Sequence, residues 1–257
     1  VIAPTGAGKS MALVHLGAQA VRRGLNVVHY TLELQDKIVA SRYDSCLTGF
    51  SLGSLHGLKD EIFEKVQELE GGLIVKEYPT KSASTMTLRA HLEKLRRREI
   101  PIDLILVDYG DLLRPVSTQK EKRNELESIY EEMRGIAQEY ECPLWTASQT
   151  NRSGINAEVV TTEAISEAFN KCFVADFICT ISRTGDDKVL NTARMFVAKN
   201  RNGIDGLVYP MFMDTKNISL KVLPYQGDTP SSIQAPTAKE QKAKLAEKYQ
   251  EFVREKR

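Results

Sequence analysis

The glycine-rich octapeptide at residues 3–10 constrains the fold more than any other feature of the sequence. Its letters, APTGAGKS, fit the phosphate-loop pattern GxxxxGK[ST] everywhere except the first position, where alanine replaces glycine. Backbone N–H groups of such a loop point at a phosphate, which requires residues without bulky side chains. The sequence therefore predicts a triphosphate site made of Ala3, Pro4, Thr5, Gly6, Ala7, Gly8, Lys9 and Ser10. A chance glycine-rich turn is the alternative.

The context of the loop supports a phosphate site. Val1 and Ile2 have the character of the last residues of a buried strand, and residues 9–23 have helical periodicity, so the positive end of a helix dipole faces the anion. Lys9 can then reach the β- and γ-phosphates, and the Ser10 hydroxyl can ligate Mg²⁺. Because a central strand rarely opens a protein, we expect the chain to be a fragment whose upstream portion is missing.

An acid at the end of the clearest core strand is the second candidate for metal binding. Asp108 closes the apolar run LILVD, and the carboxyl ends of strands in an open α/β sheet face the ligand crevice. We predict that Asp108 holds the magnesium ion through water. The alternative is that Asp108 caps the next turn.

A general base must come from elsewhere, because Tyr109 and not glutamate follows Asp108. Glu33 ends the predicted strand 25–32, which we expect to lie beside the strand of the phosphate loop, and it is our candidate for polarising the attacking water. Gln149, at the end of the strand PLWTAS, is the candidate for sensing the γ-phosphate. A plain strand-end amide is the alternative for Gln149.

Strands and helices alternate over about 220 residues, which predicts an α/β fold with a mostly parallel sheet covered by helices on both faces. The α/β domain is assigned to residues 1–224, and residues 225–257 to a linker followed by a charged helical tail. Helices are predicted over residues 9–23, 37–47, 59–69, 86–98 and 124–140, and strands over 25–32, 73–78, 102–108, 143–148, 173–182, 194–199 and 207–213.

Composition narrows the setting without assigning a function. A net charge of +1 argues neither for nor against nucleic acid, since a binding surface needs only a local concentration of basic residues. The cysteines lack CxxC spacing, which is typical of reduced core thiols rather than zinc ligands or disulfides: Cys46, Cys142, Cys172 and Cys179. No apolar run is long enough to cross a bilayer and no leader is present, so we expect a cytosolic protein without a membrane partner.

With these residues placed, residues 1 to about 224 resemble the motor domain of the DnaB-type hexameric replicative helicases, within the RecA-like ATPases. They are especially similar to the versions carried by T-even-type phages. The resemblance rests on APTGAGKS, HYTLEL, ILVDYGDLL, WTASQTNRS and AKNRNG, and LIVKEYPT adds to the phage likeness. An Ala-x-Pro opening of the phosphate loop is usual in this family, so the exception at Ala3 supports the match.

The resemblance implies an enzyme that hydrolyses ATP with Mg²⁺ and moves a hexameric ring along single-stranded DNA in the host cytoplasm. It implies that Glu33 is the general base and Gln149 the sensor. Lys199 and Arg201, in AKNRNG, would reach the nucleotide of the neighbouring subunit and act as an arginine finger does. From the residues alone, KNRNG is more simply interpreted as a basic, Asn-Gly-rich hairpin turn, and the resemblance reverses that preference.

Two segments match the DNA-contacting loops of the family. The first, residues 114–123, holds Arg114, Lys120, Lys122 and Arg123 among polar residues, and a solvated loop of mixed charge is its alternative. The second, residues 152–167, starts at Arg152. The cellular enzymes carry an Arg-Glu pair there, whereas this chain has the run Ser166, Glu167, Ala168 and Phe169.

The resemblance also implies an upstream collar domain and linker helix, together with a primase and a helicase loader as partners. Two other functions fit the same fold: a recombinase that forms filaments, and an ATPase that signals or loads without unwinding DNA. The second of these predicts ATP turnover that is indifferent to single-stranded DNA.

Overall fold

The computed structural model describes residues 1–119, 121–150, 157–161 and 173–230. Within these ranges the strands are β1 (Ile2–Ala3), β2 (Val27–Thr31), β3 (Leu73–Glu77), β4 (Leu104–Asp108), β5 (Leu144–Thr146), β6 (Ser148–Gln149), β7 (Phe177–Ser182), β8 (Thr192–Asn200), β9 (Val208–Asp214) and β10 (Ser219–Val222). The α-helices are α1 (Lys9–Val21), α2 (Asp36–Thr48), α3 (Lys59–Gln67), α4 (Thr85–Arg96), α5 (Lys122–Glu139) and α6 (Gly185–Leu190). Short 3₁₀ helices cover Leu55–Gly57 and Gly110–Leu112.

The strands form two sheets that meet at Ala147. One has the order β3-β2-β4-β5 and the other β10-β9-β8-β7-β1-β6. Only Ala147 separates β5 from β6, so one extended stretch pairs with β4 through Thr146 and with β1 through Ser148. All pairs among β1 to β7 are parallel, whereas β7, β8, β9 and β10 pair antiparallel. The predicted parallel α/β sheet is therefore confirmed, with an antiparallel extension at one edge.

The expected position of β2 beside the strand of the phosphate loop is wrong. Strand β1 pairs with β6 and β7, while β2 pairs with β3 and β4. All five residues of β2 and all five of β4 are buried. Two fully buried, mostly apolar strands look alike in sequence, so composition identifies central strands without saying which of them are neighbours.

Helices cover both faces of the central strands, because alternate residues of a strand point to opposite sides. On one face, Val27 and Leu106 pack with Leu13 of α1. On the other, Val28 and Ile105 pack with side chains of α4 and α5, including Leu88, Leu92, Ile129 and Met133. Burial on both faces explains why these strands are continuous apolar runs rather than alternating ones.

Two elements were not predicted from the sequence. Helix α6 is a single short element opened by a capping box, in which the Thr184 hydroxyl accepts the Asp187 N–H at 3.2 Å. Strand β10 has only four residues, two of them exposed, so its periodicity is weak. The predicted helical tail lies beyond residue 230, outside the described residues.

Three of the four cysteines lie among the described residues. Cys46, Cys142 and Cys179 are buried free thiols, and Cys172 falls outside the described ranges. Across the residues that the structure describes, no helix combines the length and apolar character required to cross a membrane.

Candidate nucleotide site

The phosphate loop connects β1 to α1 with a backbone that needs glycine at two positions. Gly6 has φ 74° and Gly8 has φ 101°, in the left-handed region that favours glycine. A Cβ on Gly8 would also lie 2.7 Å from Cε of Met213 in β9. The Ala7 N–H donates to the Pro4 carbonyl at 3.2 Å, and α1 begins at Lys9. The amino end of the helix therefore opens directly onto the loop.

Lys9 is buried and folds back over its own loop. Its Nζ donates to the carbonyl oxygen of Ala3 at 3.4 Å and lies 6.0 Å from the centre of the Tyr109 ring. Burial lowers the pKa of Lys9, and the charges of Glu33, Asp108 and Asp111 oppose that shift. With one buried cation and three carboxylates, the site is negative overall. A triphosphate would add more negative charge, which a metal ion can balance.

Asp108 ends β4 with a carboxylate that is completely buried. Among the described residues, none donates to either carboxylate oxygen in full hydrogen-bonding geometry, so Asp108 caps no turn there. Burial raises its pKa; the nearby Ser10 hydroxyl and the charges of Lys9 and Arg42 oppose that effect, whereas Glu33 adds to it. A buried carboxylate without a donor is costly unless a cation or water completes it.

These residues fit a magnesium ion. Mg²⁺ in phosphate-transfer sites keeps several waters and takes one or two protein oxygens besides those of the nucleotide. Ser10 and Asp108 supply that kind of oxygen. In the described part of the chain no three histidine, cysteine or acidic side chains cluster as a metal cage, and a P-loop magnesium site needs none.

Glu33 lies in this site although its strand is not a neighbour of β1. Thr31 stands opposite Asp108 in the register of β2 and β4, and the Leu32 N–H donates to the Asp108 carbonyl at 2.8 Å. The chain leaving β2 therefore passes beside the end of β4. Glu33 is exposed, and its charge raises the pKa values of Lys9, Asp108 and Tyr109.

Gln149 ends β6 directly beside the start of the phosphate loop. It is half-buried and stands opposite Ala3, and the Thr150 N–H donates to the Ala3 carbonyl at 3.4 Å. The predicted sensor is thus one strand away from the loop that it would monitor.

Lys199 and Arg201 lie at the opposite end of the strands from their own phosphate loop. Strand β7 runs parallel to β1, and β8 runs back along β7 with Asn200 opposite Phe177. The end of β8 is therefore level with the amino end of β7, whereas the phosphate loop leaves the carboxyl end of β1. Lys199 and Arg201 are too far along β8 to serve the nucleotide of their own chain.

The predicted DNA-contact residues are described only in part. Arg114 is exposed, and its N–H donates to the Ala83 carbonyl at 2.8 Å. Arg123 and Glu121 form an exposed ion pair at 3.5 Å. Lys122 is the first residue of α5. Lys120 and Arg152 fall outside the described residues.

Two charged residues of the site were missed at the level of sequence. The charge of Asp111 acts to raise the pKa of Lys9. Asp111 stands three residues after Asp108 in VDYGDLL, so this second acid could have been identified from the motif. Arg42 of α2 acts on Asp108 from a helix with no local motif, so nothing in the sequence marked it.

A cavity of about 470 Å³ lies elsewhere, at the amino ends of the strands. Apolar residues of β1, β5, β7 and α5 line it, among them Val1, Trp145, Phe177 and Met133. Ligands of open α/β sheets bind at the carboxyl ends of the strands, so this cavity is separate from the candidate nucleotide site.

Comparison with known proteins agrees with this geometry. The family model for the DnaB-like helicase C-terminal domain matches residues 1–218. The DnaB-like replicative helicase of Enterobacteria phage T4 is 29% identical over 197 residues, covering 72% of this chain and 41% of that protein. The replicative DNA helicase DnaB of Helicobacter pylori is 24% identical over 151 residues, covering 57% of this chain and 31% of the relative.

The fold is shared with a solved structure of a DnaB-like replicative helicase that was described together with its interactions with primase. The TM-score is 0.74 at 16% identity, over 87% of this chain and 56% of that one. This chain thus spans about half or less of the length of these relatives.

Proposed function

Because the chain belongs to the family of DnaB-like helicase C-terminal domains, we propose that it is the ATP-hydrolysing motor of a replicative DNA helicase. The observation that carries this proposal is the convergence of Lys9, Asp108 and Glu33 at the carboxyl ends of the central strands. Triphosphate hydrolysis requires a cation beside the phosphates, a carboxylate that holds the metal ion and a carboxylate that acts as a base. Lys9, Asp108 and Glu33 are groups of these three kinds.

Each group has a separate task in hydrolysis. The loop N–H groups and Lys9 hold the triphosphate, and Ser10 and Asp108 hold Mg²⁺, which when bound neutralises charge on the phosphate oxygens. The Glu33 carboxylate orients the attacking water and accepts its proton. Gln149, beside Ala3, contacts the γ-phosphate and registers its loss.

The working form that we propose is a homo-oligomer, a hexameric ring. Support comes from Lys199 and Arg201, which stand at the end of the sheet remote from their own phosphate loop. Placed against a neighbour, they would neutralise charge on its leaving phosphates. In such a ring each nucleotide lies between two subunits. One subunit supplies the phosphate loop at the carboxyl ends of its strands, and the other supplies Lys199 and Arg201 from the opposite end of its sheet.

The DNA contact that we propose is the segment from Arg114 to Arg123, with Lys120, Lys122 and Arg152 completing a basic channel. Exposed Arg114 and Arg123 support charge-based contact with the phosphate backbone, which tolerates any sequence. As further partners we propose a primase or a helicase loader, acting with the motor in the cytoplasm of a bacterium.

The proposal is tested by measuring ATP turnover of the assembled protein with and without oligo-dT, and unwinding of a forked duplex. We expect severalfold stimulation by DNA and ATP-dependent unwinding. Lys9→Ala should abolish both, while Lys188→Ala, which removes an exposed lysine of α6, should change neither. Equal turnover with and without DNA would instead indicate a RecA-like ATPase that does not unwind.

A second measurement addresses the basic loop. Replacing both Arg114 and Arg123 by alanine should weaken binding to oligo-dT. The slope of the logarithm of the binding constant against the logarithm of salt concentration should fall by about one to two, because fewer counterions are released. Arg96→Ala combined with Arg97→Ala removes two exposed arginines from α4 and serves as the matched control. If both double variants bind DNA equally, residues 114–123 do not line the channel.

A further inference from the structure

The Asp111 carboxylate connects the strand that ends at the candidate sensor Gln149 with the helix that follows the loop we assign to DNA. Asp111 lies in the 3₁₀ helix after β4, and its Oδ1 accepts a hydrogen bond from the Tyr130 hydroxyl at 2.7 Å. Its Oδ2 accepts a hydrogen bond from the Ser148 hydroxyl at 3.0 Å. Tyr130 and Ser148 are both buried, so water competes little for these bonds.

One side of this network is the strand that ends at the candidate sensor. Ser148 immediately precedes Gln149 and stands opposite Ile2 of the phosphate-loop strand. The Tyr130 hydroxyl also approaches the Ala147 carbonyl at 3.4 Å, and the Gly110 N–H donates to the Thr146 hydroxyl at 2.9 Å. The network therefore holds the chain where the strand changes its partner from β4 to β1.

The other side of the network is the loop that we assign to DNA. Asp111 lies three residues before Arg114, and Tyr130 lies in α5, the helix that follows the loop. The Lys81 ammonium group donates to the carbonyl oxygens of Asp111 and Leu113, both at 2.9 Å. The segment before the loop thus carries the Asp111 carboxylate, and the helix after the loop donates the Tyr130 hydroxyl to it, so a shift of Asp111 or of α5 changes this hydrogen bond.

We propose that Asp111, Tyr130 and Ser148 are positioning residues that couple the loop at residues 114–123 to Gln149. Contact with a strand of DNA moves the ends of the loop, and the two hydrogen bonds of Asp111 transmit that movement to the residue beside the sensor. The coupling rests on the proposed function, since it presupposes that the loop binds DNA. It would be carried by a contiguous chain of partly buried hydrogen bonds with defined partners.

Tyr130→Phe in the assembled protein tests the coupling, because it removes one hydroxyl and leaves the ring in place. Steady-state kcat and KM for ATP are measured over a range of oligo-dT concentrations. We expect unchanged turnover without DNA and a reduction of about threefold in the stimulation by DNA. Tyr140→Phe is the matched control, since among the described residues the Tyr140 hydroxyl donates only to the Arg89 carbonyl, at 3.4 Å, near the far end of α5.

A pair of substitutions at Asp111 separates coupling from simple structural support. Asparagine keeps an oxygen for Tyr130 and an amide that the Ser148 hydroxyl can accept from, whereas alanine removes both contacts. We expect Asp111→Asn to retain more stimulation by DNA than Asp111→Ala. Adding Ser148→Ala to Tyr130→Phe should reduce stimulation by less than the product of the single effects, because both act through one carboxylate.

The outcomes distinguish this inference from the proposed function. Full stimulation in Tyr130→Phe alongside a stimulated wild type overturns the coupling alone. An equal loss of turnover with and without DNA in Tyr130→Phe, together with lower thermal stability, also overturns it, because the hydroxyl would then only support the fold. A wild type that DNA does not stimulate overturns both.

Discussion

The guanidinium group of Arg201 is held by the carboxylate of Asp176, with Nη1 and Oδ1 2.8 Å apart. A second nitrogen of Arg201 donates to the Phe173 carbonyl at 3.0 Å, and the Lys199 ammonium group donates to that same carbonyl at 3.1 Å. Arg134 of α5 shares the Asp176 oxygen at 3.0 Å. All four charged side chains are partly exposed, so the cluster orients Arg201 far more than it stabilises the fold.

Arg201→Ala should leave nucleotide binding nearly intact and reduce turnover of the assembled protein by about 10³-fold, since a finger acts on the transition state. Binding is measured with a fluorescent ATP analogue and turnover by phosphate release. The physical reason is the position of Arg201 at the end of the sheet away from its own phosphate loop.

Mixing variants shows whether the finger acts on a neighbour. Arg201→Ala subunits keep a complete Lys9, Asp108 and Glu33 site, and Glu33→Ala subunits keep Arg201. Mixed assemblies should therefore recover part of the turnover that neither variant has alone. Absence of recovery at every mixing ratio would show that Arg201 does not complete a neighbouring site.

Asp176→Ala should lower kcat by about tenfold with little change in KM, because a guanidinium released from its carboxylate is poorly oriented. The free energy of unfolding should fall by less than about 1 kcal/mol, as for other exposed ion pairs. Glu93→Ala is the control, since it removes a partly exposed carboxylate paired with Arg96 and Arg97 at the end of α4 and should leave kcat unchanged. A normal kcat in Asp176→Ala would contradict the orienting role.

Two helical glycines should respond to alanine with opposite signs. A methyl group on Gly17 of α1 would collide with the Tyr43 hydroxyl and approach Leu106 to 2.9 Å, so Gly17→Ala should lower the free energy of unfolding by about 1–3 kcal/mol. At Gly135 of α5 the only described atom within 4 Å of an added methyl group is the end of the flexible Arg89 side chain, 3.1 Å away. Gly135→Ala should raise the free energy of unfolding by about 0.5–1 kcal/mol. Urea titration of both variants provides the comparison.

Stability should fall on acidification through His29, whose ring is completely buried beneath α2 and hydrogen-bonded to Tyr43 at 2.8 Å. Burial lowers the pKa of His29 from 6.5 to about 3. The unfolded chain therefore binds the proton more readily, so the stability contributed by neutral His29 is complete above pH 6.5 and is lost as the pH falls towards 3. The loss should reach about 2 kcal/mol at pH 5.

Urea unfolding between pH 7 and pH 4.5 measures this dependence. His29→Gln has no titrating ring and should show a shallower decline of the unfolding free energy than the wild type. His56→Gln, which removes an exposed histidine, should keep the slope of the wild type. Parallel curves for the wild type and His29→Gln would show that another group causes the acid loss.

The local motifs of the sequence were sufficient to propose a role for individual residues. The phosphate site that we propose from Ala3 to Ser10 would bind through its own backbone and one helix terminus, so adjacent residues contain the whole arrangement. The same holds for Asp108, because an acid after an apolar strand must emerge at the carboxyl edge of the sheet. Hydrophobic periodicity likewise predicted nearly every helix and strand to within a few residues, since burial depends on local spacing.

Relations between distant segments were decided only in the tertiary structure. The sequence placed β2 beside the wrong strand, and Glu33 reaches the site because Thr31 is in register with Asp108. Likewise, nothing in the sequence joined Asp111 to Ser148 and Tyr130, or Arg201 to Asp176. Residues far apart in the chain meet only after strand order and register are chosen, and those follow from the packing of the whole sheet rather than from any local pattern.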